Sequence, residues 1–205
     1  MLQILAILVF ALNWSAQIHK IGEKYGEGIV FYVSDSGQHG LIAATIDQST
    51  GIQWYNGVYR LIVDTIREGV GAGAKKTGII IAAISKDNPK GNFAAKVCAD
   101  YSVTVEGITY NDWYLPSIFE LNLLRLQKDI VGGFTNYYGE TYWSSSEDFE
   151  KRAATQSLCS PNNKIEQVRT TRNWDKSLTN RVRAIRAFWL INSLHLYKLV
   201  LWNKY

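Results

Sequence analysis

Histidine and cysteine are scarce in this chain: three and two among 205 residues. That scarcity removes several chemistries at once. His19, His39 and His195 lie far apart in sequence, and with Cys98 and Cys159 they make no zinc spacing. Ser144, Ser145 and Ser146 form the one run that invites a nucleophile, yet no histidine is placed to activate it. Glu140, Glu147, Asp148 and Glu150 are clustered carboxylates without a recognisable calcium loop. "GVGAGAKKT" lacks the second glycine of a phosphate loop, because Lys75 stands where it is needed, so it reads as a flexible turn. No cofactor is expected. Prolines number only three, whereas Trp and Tyr number 7 and 12, a composition that builds a packed domain rather than a disordered chain.

No apolar run is long enough to span a bilayer. Ile4 to Leu12 has the length of a signal-peptide h-region, followed by small Ser15 and Ala16, so residues 1–17 are read as an export signal. A buried first strand or helix is the other reading, because no Lys or Arg precedes the run and Trp14 sits poorly near a cleavage site. Residues 189–205 form an apolar extension broken by Asn192, His195 and Lys198, which fits an extra packed or interfacial helix and not a span.

Charge is unevenly distributed. Residues 1–150 hold 11 Lys/Arg against 16 Asp/Glu, whereas residues 151–186 hold nine against two. A basic segment on an acidic body points to anionic partners, although a solvated face has the same composition. Of the nine cations, Arg181, Arg183 and Arg186 fall on a closing strand that can use them structurally. Lys164, Arg169, Arg172 and Lys176 are expected to be accessible, with Trp174 among them as an aromatic anchor.

The local patterns predict a mixed α+β fold. "GIVFYVSDSGQHGLIAA" reads as a hairpin around an Asp-Ser-Gly turn, and "GIQWYNG" as a short strand. Val58, Leu61, Ile62, Thr65 and Ile66 share a helical face. Asn92 is placed to cap a helix whose stripe is Phe93, Val97, Cys98 and Tyr101. Pro116 holds Trp113–Leu115 extended, Ser117 and Glu120 make a capping box, and Gly132–Gly133 end the helix. "ETYWSSS" and "RVRAIRAF" read as strands, the latter with Val182, Ala184, Arg186 and Phe188 on one side. The stretch between them reads as long and irregular, the kind of loop that usually carries function. Trp113, Leu115, Leu121, Leu124, Trp143, Val182 and Phe188 are expected to form one core.

Taken together, "IGEKYGEGIVFYV", "GQHGLIAA", "QSTGIQWYNG", "AAKVCADY", "YNDWYLPS..EL", "YWSSSE" and "NRVRAIRAF" resemble the Lcl C-terminal domain family, named for a bacterial collagen-like adhesin. The resemblance runs from Ile21 to Phe188. It implies a C-type-lectin-like fold over residues 21–188, with two helices packed on small antiparallel sheets and a long irregular loop region. It also implies a non-catalytic adhesion or ligand-binding module, secreted or on the cell surface. Some family members recognise sulfated glycans; a homo-oligomer and a protein ligand stay open, and nucleic acid does not fit that compartment. Similar domains targeted by diversity-generating retroelements carry a hypervariable binding face before the last strand. By position that face comprises Glu147, Asp148, Lys151, Arg152, Lys164, Arg169, Arg172, Trp174, Asp175 and Lys176. Two alternatives belong to other classes: an enzyme related by fold to formylglycine-generating oxidases, which need a paired-cysteine copper site, and a structural oligomerisation domain. In many relatives a cysteine in the last strand pairs with the helix cysteine; here that position is Ala184.

Overall fold

The computed structural model describes residues 18–34, 37–63, 68–135, 137, 139–159 and 171–189. Within them the fold is mixed α+β, mostly antiparallel sheet. Strands β1 (Lys24–Tyr25), β2 (Gly28–Val33), β3 (His39–Ala44) and β11 (Ile185–Trp189) make a four-stranded sheet in that order. Strands β4 (Ser49–Gln53), β10 (Thr179–Val182), β7 (Tyr142–Phe149), β8 (Arg152–Gln156) and β9 (Thr171–Asp175) make a five-stranded one. A small ribbon pairs β5 (Val103–Val105) with β6 (Ile108–Tyr110). Helices α1 (Ala72–Ile84), α2 (Ala94–Ala99), α3 (Ile118–Leu126) and α4 (Lys128–Val131) complete the described elements.

The near-continuous apolar runs of β2 and β3 have a simple cause: both faces of their sheet are covered. Val30, Ile42, Ala44 and Phe188 face one way, into a cluster with Trp54, Ile80, Cys98, Trp113, Leu115, Trp143 and Val182. Ile29, Phe31, Leu41, Ala43 and Ile185 face the other, against Tyr114, Leu121, Leu124 and Tyr142. The seven expected core residues are all buried, but they divide between these two clusters and do not make one.

"RVRAIRAF" keeps its alternation and breaks as a strand. The chain leaves the five-stranded sheet after Val182 and enters the four-stranded sheet at Ile185. Arg183 marks the crossing. Its buried guanidinium donates to Asp47 Oδ1 at 2.7 Å, Ala44 O at 3.0 Å and Gly133 O at 2.6 Å. Arg181 pairs with Glu140 and Asp47, and Arg186 grips Asp112 through both Nε and Nη2. These three arginines are structural, as their strand position suggested.

The stretch read as a glycine-rich flexible turn is instead the start of α1. Gly71 takes φ 86° at the N-cap, and a Cβ on Gly73 would lie 2.7 Å from Leu115 O. The glycines lower intrinsic helix propensity, but they let this helix start pack directly on the Leu115–Ser117 backbone. Glu120 stabilises both helix starts. Its Oε2 accepts from Ser117 N at 2.9 Å, completing the capping box of α3, and from Gly73 N at 3.0 Å. Its Oε1 accepts from Gly71 N at 2.8 Å and Tyr114 Oη at 3.1 Å. Burial pushes this carboxyl above its ordinary range, against the pull of those donors.

Three further readings need correction. Residues 58–63 are not helical, and 64–67 lie outside the described residues. Their backbone groups are taken by side chains: Glu147 accepts from Ile62 N and Val63 N, and Lys176 donates to Arg60 O. The N-cap of α2 is Phe93, not Asn92, and no side chain caps it. The helix expected to run unbroken from Ser117 turns at Gln127, where φ is −113°, and resumes as α4.

Candidate functional site

The region expected to be one long irregular loop contains two strands. β7 is anchored by buried Tyr142–Ser146, turns at Glu150–Lys151 and returns as β8, which pairs with β9 through five residue pairs from Arg152↔Asp175 to Gln156↔Thr171. Among the described residues β9 is the last strand of its sheet. Lys164 and Arg169 lie outside the described residues.

Two of the ten expected surface residues are interior ones. Lys176 is 1 % exposed, ion-paired to a fully buried Glu147 carboxylate. Its ammonium also donates to Arg60 O and Glu150 O, both at 2.8 Å, and lies 4.5 Å from the centre of the Trp54 ring. Burial pushes this ammonium below its ordinary range, with Glu147 pulling it back. The expectation that Lys176 is an accessible cation is therefore corrected. Its fourth methylene carries the charge into the core, where it ties β9, the β7–β8 turn and the 60–63 loop to one point. Sequence could not reveal this, because the partner Glu147 lies 29 residues away.

The remaining residues divide by face. Trp174 is half-buried against the core beside Ala153, and Arg172, on the same face, is exposed. On the opposite face Asp148 accepts from Asn173 at 2.7 Å and pairs with Arg152 at 3.0 Å. The Arg152 guanidinium lies 4.9 Å from the ring centre of exposed Phe149. Asp175 accepts from Tyr59 Oη at 2.7 Å and from Ser177, which hold its carboxyl below the ordinary range. The same bond pushes the Tyr59 phenol up to about 12. Lys151 is exposed, with its ammonium 5.6 Å from the Tyr59 ring centre. Lys151, Arg152 and Arg172 are thus the accessible cations at this edge among the described residues, and they straddle it rather than forming a flat patch. Phe149 and Tyr59 were missed in the sequence: the first ends a strand expected to stop at Ser146, the second lies in a predicted helix.

No protein-family model and no curated protein matches this chain. Ser146 does acquire a basic neighbour, Lys76, 3.0 Å from its Oγ. That Oγ donates to Glu68 at 2.5 Å and accepts from Ile118 N at 3.0 Å, while Lys76 is ion-paired to the same Glu68. Burial would raise the Glu68 carboxyl, but the bonds from Lys76 and Ser146 outweigh it and hold it low. A nucleophilic serine needs a neighbour free to take its proton, and the Lys76 amine is already engaged with Glu68. Buried Lys76 and Ser146, with the exposed Glu68, tie α1, β7 and the start of α3 together. Among the described residues no cluster of His, Cys, Asp or Glu could hold a metal ion, and no helix is long and apolar enough to cross a membrane. No disulfide joins Cys98 to Cys159; Cys98 is buried, and burial raises its thiol well above the ordinary range.

Proposed function

We propose that this chain is a non-catalytic binding module of the C-type-lectin-like, Lcl C-terminal type, displayed or secreted by a bacterium. Its ligand is polyanionic, with sulfated polysaccharide as the first candidate, bound at the β7–β8 turn and the β9 edge. The observation that carries this reading is the sorting of the basic segment: Lys176, Arg181, Arg183 and Arg186 are committed to internal partners, whereas Lys151, Arg152 and Arg172 remain at one exposed edge beside Phe149. The undescribed residues 160–170, which include Lys164 and Arg169, join the strands of that edge. A variable segment joined to strands pinned through buried ion pairs is a sound way to change a ligand without changing a fold.

Heparin affinity chromatography tests the site. Lys151→Glu, Arg152→Glu and Arg172→Glu together should release the protein at much lower salt than wild type, because each phosphate- or sulfate-type contact releases counterions. The circular dichroism melting curve should change little, since all three side chains are exposed and the surface Arg152–Asp148 pair contributes little. Retention equal to wild type would refute this face as the polyanion site.

The family part of the reading has a separate test. Cys98 and Ala184 belong to the same fully buried cluster. If the resemblance holds, Ala184→Cys in a Cys159→Ser background should oxidise to a disulfide with Cys98. Intact mass should show the loss of two hydrogens. Two persistent free thiols under oxidising conditions would count against membership.

A further inference from the structure

Glu147 and Lys176 meet in a geometry suited to more than a charge pair. Their side chains are 0 % and 1 % exposed, and the Trp54 ring centre lies 4.5 Å from the ammonium. The three protons of that ammonium have three acceptors: Arg60 O and Glu150 O, each at 2.8 Å, and Glu147 Oε1. The other carboxylate oxygen, Oε2, accepts from two consecutive backbone amides, Ile62 N at 2.8 Å and Val63 N at 2.6 Å. Burial disfavours charge on both partners, and the ammonium is already held below its ordinary range. Passing the shared proton to Oε1 leaves a neutral amine and a neutral acid. The lone pair freed on Nζ then points along the former hydrogen bond at the carboxyl group. Two amide donors already face the oxygen where negative charge would develop.

We propose that the folded chain closes an amide bond between Lys176 Nζ and Glu147 Cδ, an intramolecular crosslink that fastens β7 to the residue after β9. Nζ attacks Cδ, and the carbonyl π pair moves to Oε2 as an oxyanion held by Ile62 N and Val63 N. The carbonyl re-forms as Oε1, already carrying one proton from Nζ, takes a second and leaves as water; the third proton stays on the amide. One N–C bond forms, one C–O bond breaks, and nothing is oxidised or reduced. Fixed placement supplies the effective concentration that such a condensation lacks in water. Until the bond closes, the two residues act as the ion pair described above. The residues are 29 positions apart, so the closed ring carries both β8 and β9 and keeps them joined even in the unfolded chain. The other buried lysine lacks this arrangement. Lys76 pairs with Glu68, whose side chain is 36 % exposed and whose Oε2 meets Phe119 N at 3.5 Å where Glu147 has two close amides.

Mass spectrometry of the full chain tests the proposal. Wild type held folded at physiological temperature should weigh one water less than its sequence requires. Trypsin should release residues 129–151 joined to residues 173–181, with Lys176 uncleaved. Glu147→Ala should keep the full mass whether or not it folds. Glu147→Gln should close with loss of ammonia and end at the mass of linked wild type, which places the bond at residue 147. The Lys151→Glu, Arg152→Glu, Arg172→Glu variant should lose the water as wild type does, so failure of polyanion binding and failure of this link are separate results. Wild type at its full sequence mass, with the two peptides released apart, would overturn the proposal. A crosslink joining Glu68 to Lys76 in place of this one would overturn it too.

Discussion

Lys176→Met should destabilise the domain by about 3–5 kcal/mol, the usual consequence of removing one member of a buried ion pair. The Glu147 carboxylate would stay wholly buried with only Ile62 N and Val63 N as donors, and Arg60 O and Glu150 O would lose theirs. Urea denaturation followed by tryptophan fluorescence measures the change. The control is Lys176→Met with Glu147→Met, which removes both charges and should recover part of the loss, since an apolar pair escapes the desolvation penalty. A single variant within about 1 kcal/mol of wild type would show that the pair is not the tie described. The functional corollary is specific: the Lys176 variant should loosen the β7–β8 turn and the 60–63 loop, both of which it holds.

Glu120→Ala should be comparably severe, about 3–5 kcal/mol, because four donors, three of them in buried bonds, lose their acceptor at once. Gly71 N and Gly73 N belong to the start of α1, and Ser117 N to the start of α3, so two helices lose a cap in one substitution. Glu120→Gln offers little rescue. Donors approach both oxygens: an amide NH₂ in the place of Oε2 would confront Gly73 N and Ser117 N, and in the place of Oε1 it would confront Gly71 N even where Tyr114 Oη turns to accept from it. Equilibrium unfolding of both variants checks the point. Wild-type stability in Glu120→Gln would contradict the two-sided acceptor role.

The capping box at Ser117–Glu120 illustrates what sequence can disclose and what it cannot. The local half was legible: serine, glutamate and proline at fixed spacing predict a helix start. That the same carboxylate also caps α1, 47 and 49 residues away, depends on tertiary approach and leaves no periodic trace. The glycines of "GVGAGAKKT" misled for the same reason. Read alone they loosen the chain; against the Leu115–Ser117 backbone they permit close packing. Alternation in "RVRAIRAF" correctly assigned Val182, Ala184 and Phe188 to one side, because a period of two survives a change of sheet. Residues 58–63 of the expected helix are not helical because Glu147 and Lys176 claim their backbone, a competition that no local propensity encodes. Charge counting located the basic segment, but only burial separates Lys176, a core tie, from Arg172, an exposed cation three positions before Asp175.

The central claim is that strands fixed by buried ion pairs present an exposed cationic edge to a polyanion. Amide chemical-shift mapping during titration with a heparin-derived oligosaccharide tests it most directly. Shifts should concentrate at residues 149–152 and 171–174 and vanish in high salt, while the buried strand residues 142–145 stay still. Shifts centred elsewhere on the domain, or none at saturating oligosaccharide, would contradict the account.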